Sequence, residues 1–171
     1  MMIDPTARCP KWLIDRIGNC GESISFYRYM DLVLNDYEYG FYSTGRLKIG
    51  KDGDFCTSPS LSNDFARLLA IQIVDWFDDL EKAEIDSQLF SLVEIGPGEG
   101  TLSRDLIEAI SEISPTLINK IEIVFVEINV GMKKRQEKVV NNIKGVSYRW
   151  SNFDDLIFKP VTGVVIANEV L

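Results

Sequence analysis

The chain has 171 residues, 46% of them hydrophobic and 26% charged, with 18 basic against 26 acidic side chains and a net charge of −8; that is the length of one globular domain or of part of a larger one. The acidic balance excludes a general nucleic-acid binder, which needs clustered Lys and Arg to meet phosphates. The absence of His excludes a His base or a His-ligated metal, and Cys9, Cys20 and Cys56 are too scattered for a disulfide framework or a zinc site.

No metal is therefore expected. No apolar run reaches the ~18 residues of a membrane span. With neither a signal core nor an Arg-rich leader, the sequence reads as a soluble protein of a reducing compartment. That compartment would be the cytoplasm of a bacterium or the mitochondrial matrix of a eukaryote. The sequence is silent on oligomeric state.

Residues 1–88 read as a helical N-terminal extension. Ile24, Phe26, Tyr29, Met30, Val33 and Leu34 recur at helical spacing. The stretch 36–58 is rich in Gly, Asp, Tyr and Ser and reads as a loop. Leu61, Phe65, Leu68, Leu69, Ile71, Ile73 and Trp76 then repeat helically, with Asn63 or an earlier serine as the cap. The polar stretch 81–88 marks the expected boundary.

Residues 89–171 alternate strand and helix. The near-continuous apolar run 89–95 reads as a buried parallel strand. A helix is expected over 101–113, stopped by Pro115, then strands at 121–126, 146–150 and 163–167 with a helix over 131–141. The Lys133-Lys134-Arg135 cluster on that helix reads as a solvated face. This alternation predicts an α/β fold with a Rossmann-like parallel sheet. Such sheets normally carry further strands, so the sequence is expected to be part of a longer one.

The strongest chemical signal is the run Glu94-x-Gly96-Pro97-Gly98-x-Gly100 between a strand and the helix opening at Thr101-Leu102. The glycines allow a tight turn and close approach of a ligand to main chain. The helix start offers free N–H donors that a carboxylate or phosphate can use. A dinucleotide fingerprint would need Gly where Thr101 stands, and a P-loop would need Gly-Lys-Ser/Thr. Glu94 beside the glycines suits a cationic ligand. S-adenosylmethionine (SAM), with its sulfonium and ammonium, is therefore the expected cofactor.

Glu127 at the end of the second strand is expected to accept both ribose hydroxyls. Asn152 has two readings, a contact to the adenine amino group or the cap of a short helix; Phe153 would supply a main-chain N–H or an apolar wall. Asn168 and Glu169 follow the fourth strand, where ligands of open α/β sheets lie. They are candidates to orient a nitrogen nucleophile and to take its proton. Two other classes stay open, a non-catalytic SAM-binding assembly module and a nucleotide-cofactor oxidoreductase.

These motifs together resemble the MidA-like methyltransferases, a family that includes a mitochondrial complex I assembly factor described as a protein arginine methyltransferase. The resemblance rests on Tyr39-Gly40-Phe41-Tyr42, on 53–59 (Gly-Asp-Phe-Cys-Thr-Ser-Pro), on 94–102, on Asp105, on Glu127 with Met132 and Gln136, and on 167–169 (Ala-Asn-Glu). It departs from the family pattern at Ser60, Ala66 and 129–130 (Asn-Val). It implies methyl transfer from SAM to a protein arginine side chain. It also implies that Asp54, Phe55, Thr57, Ser58 and Pro59 fold back toward the cofactor pocket as a lid or substrate wall, with Asp54 as the polar contact and Phe55 as the apolar one.

Overall fold

The computed structural model describes residues 9–21, 23–50, 53–54, 56, 62–83 and 89–170. Two short helices come first, α1 (Lys11–Gly18) and α2 (Phe26–Asn35), the latter capped by the Ser25 hydroxyl, which accepts from the Arg28 N–H at 3.2 Å. Turns follow to residue 50, and helix α3 spans Asp64–Lys82. Its buried residues Ala66, Ala70, Ile73, Val74 and Phe77 recur at helical spacing. The stripe packs into the same core as the sheet, with Phe77 stacked on Phe90 at 5.3 Å. Helix α3 precedes the boundary expected at 81–88, yet it covers the sheet.

The second part is strand β1 (Phe90–Ile95), helix α4 (Thr101–Ile113), a 3-10 turn (Leu117–Lys120), strand β2 (Ile121–Val126), helix α5 (Val130–Val140), strand β3 (Ser147–Ser151), helix α6 (Phe153–Phe158) and strand β4 (Gly163–Ala167). The expected strands and helices fall within a residue or so of these bounds, the usual scatter of element ends. All three pairings are parallel and the strand order is β3-β2-β1-β4. Register runs from Phe90 opposite Ile121 to Ile95 opposite Val126, and from Ser91 opposite Gly163 to Ile95 opposite Ala167.

Side chains alternate across β1 and β2. Phe90, Leu92, Ile123 and Phe125 face the helix layer with Leu106 and Ile110 of α4. Val93, Val124 and Val126 face the other side, against Ile95, Leu156 and Val161. Helix α4 packs into the same core as α3 and the sheet, and seven of its thirteen residues are buried. Successive strands are added on one side of β1, and β4 on the other. The direction of strand addition therefore reverses between β1 and β4, and that point opens a crevice at their carboxyl ends.

Candidate functional site

A cleft of about 1120 Å³ lies at that reversal point. Its floor is the glycine turn, where Gly96 and Gly98 have φ of +60° and +54°, while Gly100, at +81°, is buried behind them toward Gln136 and Phe125 and does not line the cleft. The Gly96 N–H donates to the Val126 carbonyl at 3.1 Å and the Gly100 N–H to the Pro97 carbonyl at 2.7 Å. The N-cap residue Gly100 has no side chain to cap α4, and the N–H groups of Thr101 and Leu102 at its start stand at the cleft. Gly98 meets its roof closely: a Cβ there would sit 2.9 Å from Ile49 Cδ1.

Glu127 follows β2, is buried and lines the cleft. One carboxylate oxygen accepts the Asn129 N–H at 2.8 Å, and the other accepts the Gln136 amide at 3.0 Å. Glu94 at the end of β1 also lines the cleft and is 4% exposed. Burial pushes its carboxyl up to about 7, although the Ser103 hydroxyl, donating at 2.5 Å, and the Ser103 N–H both favour the charged form. Pro97, Thr101, Leu102, Met132 and Phe153 complete this part of the wall.

Asn152 caps α6. Its Oδ1 accepts the Asp155 N–H at 2.8 Å, and its side chain is not among those lining the cleft. The capping reading of this residue is thus the observed one, while Phe153 beside it faces the cleft. Asn168 and Glu169 stand just beyond β4 on the cleft wall, the Asn168 amide 3.4 Å from Glu169 Oε1. Glu169 has φ +55°, a left-handed conformation uncommon outside glycine.

The loop before α3 returns over the cleft through Leu47, Ile49, Gly50 and Cys56. Asp54 is spent on its own turn: its carboxylate accepts the Lys48 N–H at 3.0 Å, and its N–H donates to the Lys48 carbonyl at 2.7 Å. Phe55, Thr57, Ser58 and Pro59 lie outside the described residues.

Two side chains carry more than their sequence context suggested. Arg135 was expected on a solvated face. It instead turns inward, pairing with Glu99 of the glycine turn and donating to the Gly45 carbonyl at 3.1 Å. Gln136, fully buried, bonds the Gly98 carbonyl at 2.9 Å as well as Glu127. An amide on a helix with polar neighbours gives no sequence signal of burial; only its place in the resemblance singled it out.

The cleft residues fit SAM. The turn presents bare main chain and the start of α4 to the amino-acid end, the buried carboxylate of Glu127 suits a ribose, and Glu94 suits positive charge. Among the described residues no cluster of Cys, Asp or Glu could hold a metal, and no helix is long and apolar enough to cross a membrane.

Comparisons agree with this reading. Residues 68–171 match a family model described as "Putative S-adenosyl-L-methionine-dependent methyltransferase". The bovine protein arginine methyltransferase NDUFAF7, mitochondrial, is 38% identical over 107 residues, covering 63% of this chain and 23% of its own length. The human protein of the same name is 34% identical over 134 residues, covering 78% and 29%. The chain thus spans about a quarter of the length of these relatives. A COG1565 superfamily member from Burkholderia thailandensis, crystallised with S-adenosyl-homocysteine, superposes with a TM-score of 0.68 at 29% identity over 94% of this chain and 40% of that one. A native structure of a COG1565 superfamily protein from the same organism gives 0.66 at 28% over 93% and 37%. With its glycine turn, its acid after β2 and a match over more than half its length, the chain belongs to this family of SAM-dependent methyltransferases.

Proposed function

We propose that the chain forms the cofactor-binding part of an enzyme that methylates arginine side chains of a protein. The observation that carries the reading is the buried Glu127 carboxylate on the cleft wall beside the Gly96–Gly100 turn. When bound, SAM supplies an electrophilic methyl group on its sulfonium. The glycine turn and the start of α4 receive its amino-acid end, Glu127 accepts the ribose hydroxyls, and Phe153 forms an apolar wall for the base.

The arginine assignment is supported by the names of the relatives. A guanidinium is charged at any ordinary pH, so an enzyme must orient it and remove a proton as the methyl group arrives. Asn168 orients the nitrogen in this reading, and Glu169 holds the cation and accepts the proton; their position on the cleft wall supports it. Most of the rate gain then comes from alignment and from water excluded under the roof formed by Leu47, Ile49, Gly50 and Cys56. The names of the relatives support the mitochondrial matrix as the reaction's compartment, with the cytoplasm the counterpart in a bacterium.

Calorimetry with SAM on the complete natural protein tests the reading. Glu127→Ala should weaken binding at least about tenfold, since hydrogen bonds to a charged acceptor are lost. Glu169→Ala should leave SAM affinity intact and lower methyl transfer by about 10²–10⁴-fold. Unchanged affinity in the Glu127 variant removes the ribose assignment; unchanged transfer in the Glu169 variant removes the base.

A further inference from the structure

Gln136 of α5 joins three separate pieces of the site. Its Nε2 donates to the Gly98 carbonyl at 2.9 Å and to Glu127 Oε2 at 3.0 Å, while its Oε1 accepts the Trp150 indole N–H at 2.7 Å. The residue itself is fully buried, and its bond to Glu127 is made out of reach of water. Indole is a donor only, so Trp150 dictates which end of the amide faces β3. The NH₂ end must then face the carboxylate and the carbonyl. A flipped amide would set its oxygen against two acceptors and leave the indole N–H unpaired.

The consequence falls on Glu127. A carboxylate offers roughly four acceptor positions. The Gln136 amide and the Asn129 N–H take two of them, one on each oxygen. The carboxylate plane is thereby fixed, and the remaining lone pairs are left for a ligand. The same amide pins the Gly98 carbonyl, so the turn and the acid are held at a set spacing.

We propose that Gln136 is a positioning residue for cofactor binding, presetting Glu127 and the Gly98 turn in the geometry that receives the ribose. The proposal rests on the reading of Glu127 as ribose acceptor.

The test is calorimetric titration of the complete protein with S-adenosyl-homocysteine, for the unsubstituted chain, Gln136→Leu, Glu127→Ala and the double variant. Leucine fills similar space and donates nothing. Gln136→Leu should weaken binding about tenfold. In the Glu127→Ala background it should lose most of that effect, because the amide acts through the carboxylate. A purely structural stitch would instead lower the melting temperature and leave the two losses additive, and full additivity overturns the proposal. If Gln136→Leu shows no melting transition, Trp150→Phe takes its place. It keeps a ring against Phe125 and Tyr148 but lacks the N–H that orients the amide. It should weaken binding about threefold, and equal affinity overturns the proposal. Failure of the unsubstituted chain to bind overturns the underlying reading of the site, and is recognised by that control alone.

Discussion

Glu94 shows how one side chain sets conditions for the cleft around it. Its carboxyl is held near 7 instead of the ordinary 4.5 because burial disfavours the anion. A carboxyl raised in the folded state contributes its full stability below the unfolded value, and that contribution is lost as pH rises through the folded value. Glu94→Gln, which copies the neutral form, should therefore melt higher than the parent at pH 8 and close to it at pH 4. Equal melting temperatures at pH 8 would refute this. A cationic ligand favours the anion, so SAM affinity should rise between pH 6 and 8, and that slope should vanish in Glu94→Gln. At this scale the sequence was informative where a residue type and its neighbours constrain each other: the glycines and Glu94 could be read because their spacing is itself the chemistry. Gln136 could not be read as a positioning residue, and the bond from the Lys48 N–H to Asp54 could not be read either, since which donor a loop carboxylate finds depends on how its turn closes.

Helix α5 and the turn at 43–45 illustrate a contest between local propensity and packing. Gly131 stands in the first turn of α5, where Ala would be favoured by about 1 kcal/mol. Yet a Cβ there would lie 2.1 Å from the Ser43 carbonyl oxygen and 2.5 Å from the Gly45 nitrogen. Neither neighbour can rotate away, because both are main chain. Gly131→Ala is thus expected to destabilise despite its better propensity, and to weaken SAM binding by lifting the roof that carries Ile49. Thermal unfolding with and without SAM reads both effects, and a raised melting temperature would contradict the contact. The strands were legible as short, nearly continuous apolar runs, and α4 as a longer helical stretch between the glycine turn and Pro115. The N-terminal helices were legible as helices, but not as to what they cover: an amphipathic stripe does not say which surface receives it, and so α3 was assigned to the extension although it lies on the sheet.

Across the whole molecule, burial is uneven. The face carrying Phe90, Leu92 and Phe125 is covered by α3, α4 and α5, whereas on the opposite face Val165 of β4 is 60% exposed and Ile157 and Phe158 of α6 project nearby in sequence. Strand β4 pairs only with β1 among the described residues. A strand with an open side and uncovered apolar residues is a template for unwanted pairing. On heating, this chain should scatter light at lower concentration than Val165→Lys, which places a charge on that strand. Equal onset of scattering in the two would show that aggregation starts elsewhere.

The meeting of Gly45 with Gly131 is made by backbone on both sides, so its fit depends on two positions staying small and hardly at all on the letters between them. Side-chain changes at Leu47 or Ile49 can therefore reshape the roof of the cleft while the joint behind it keeps its place.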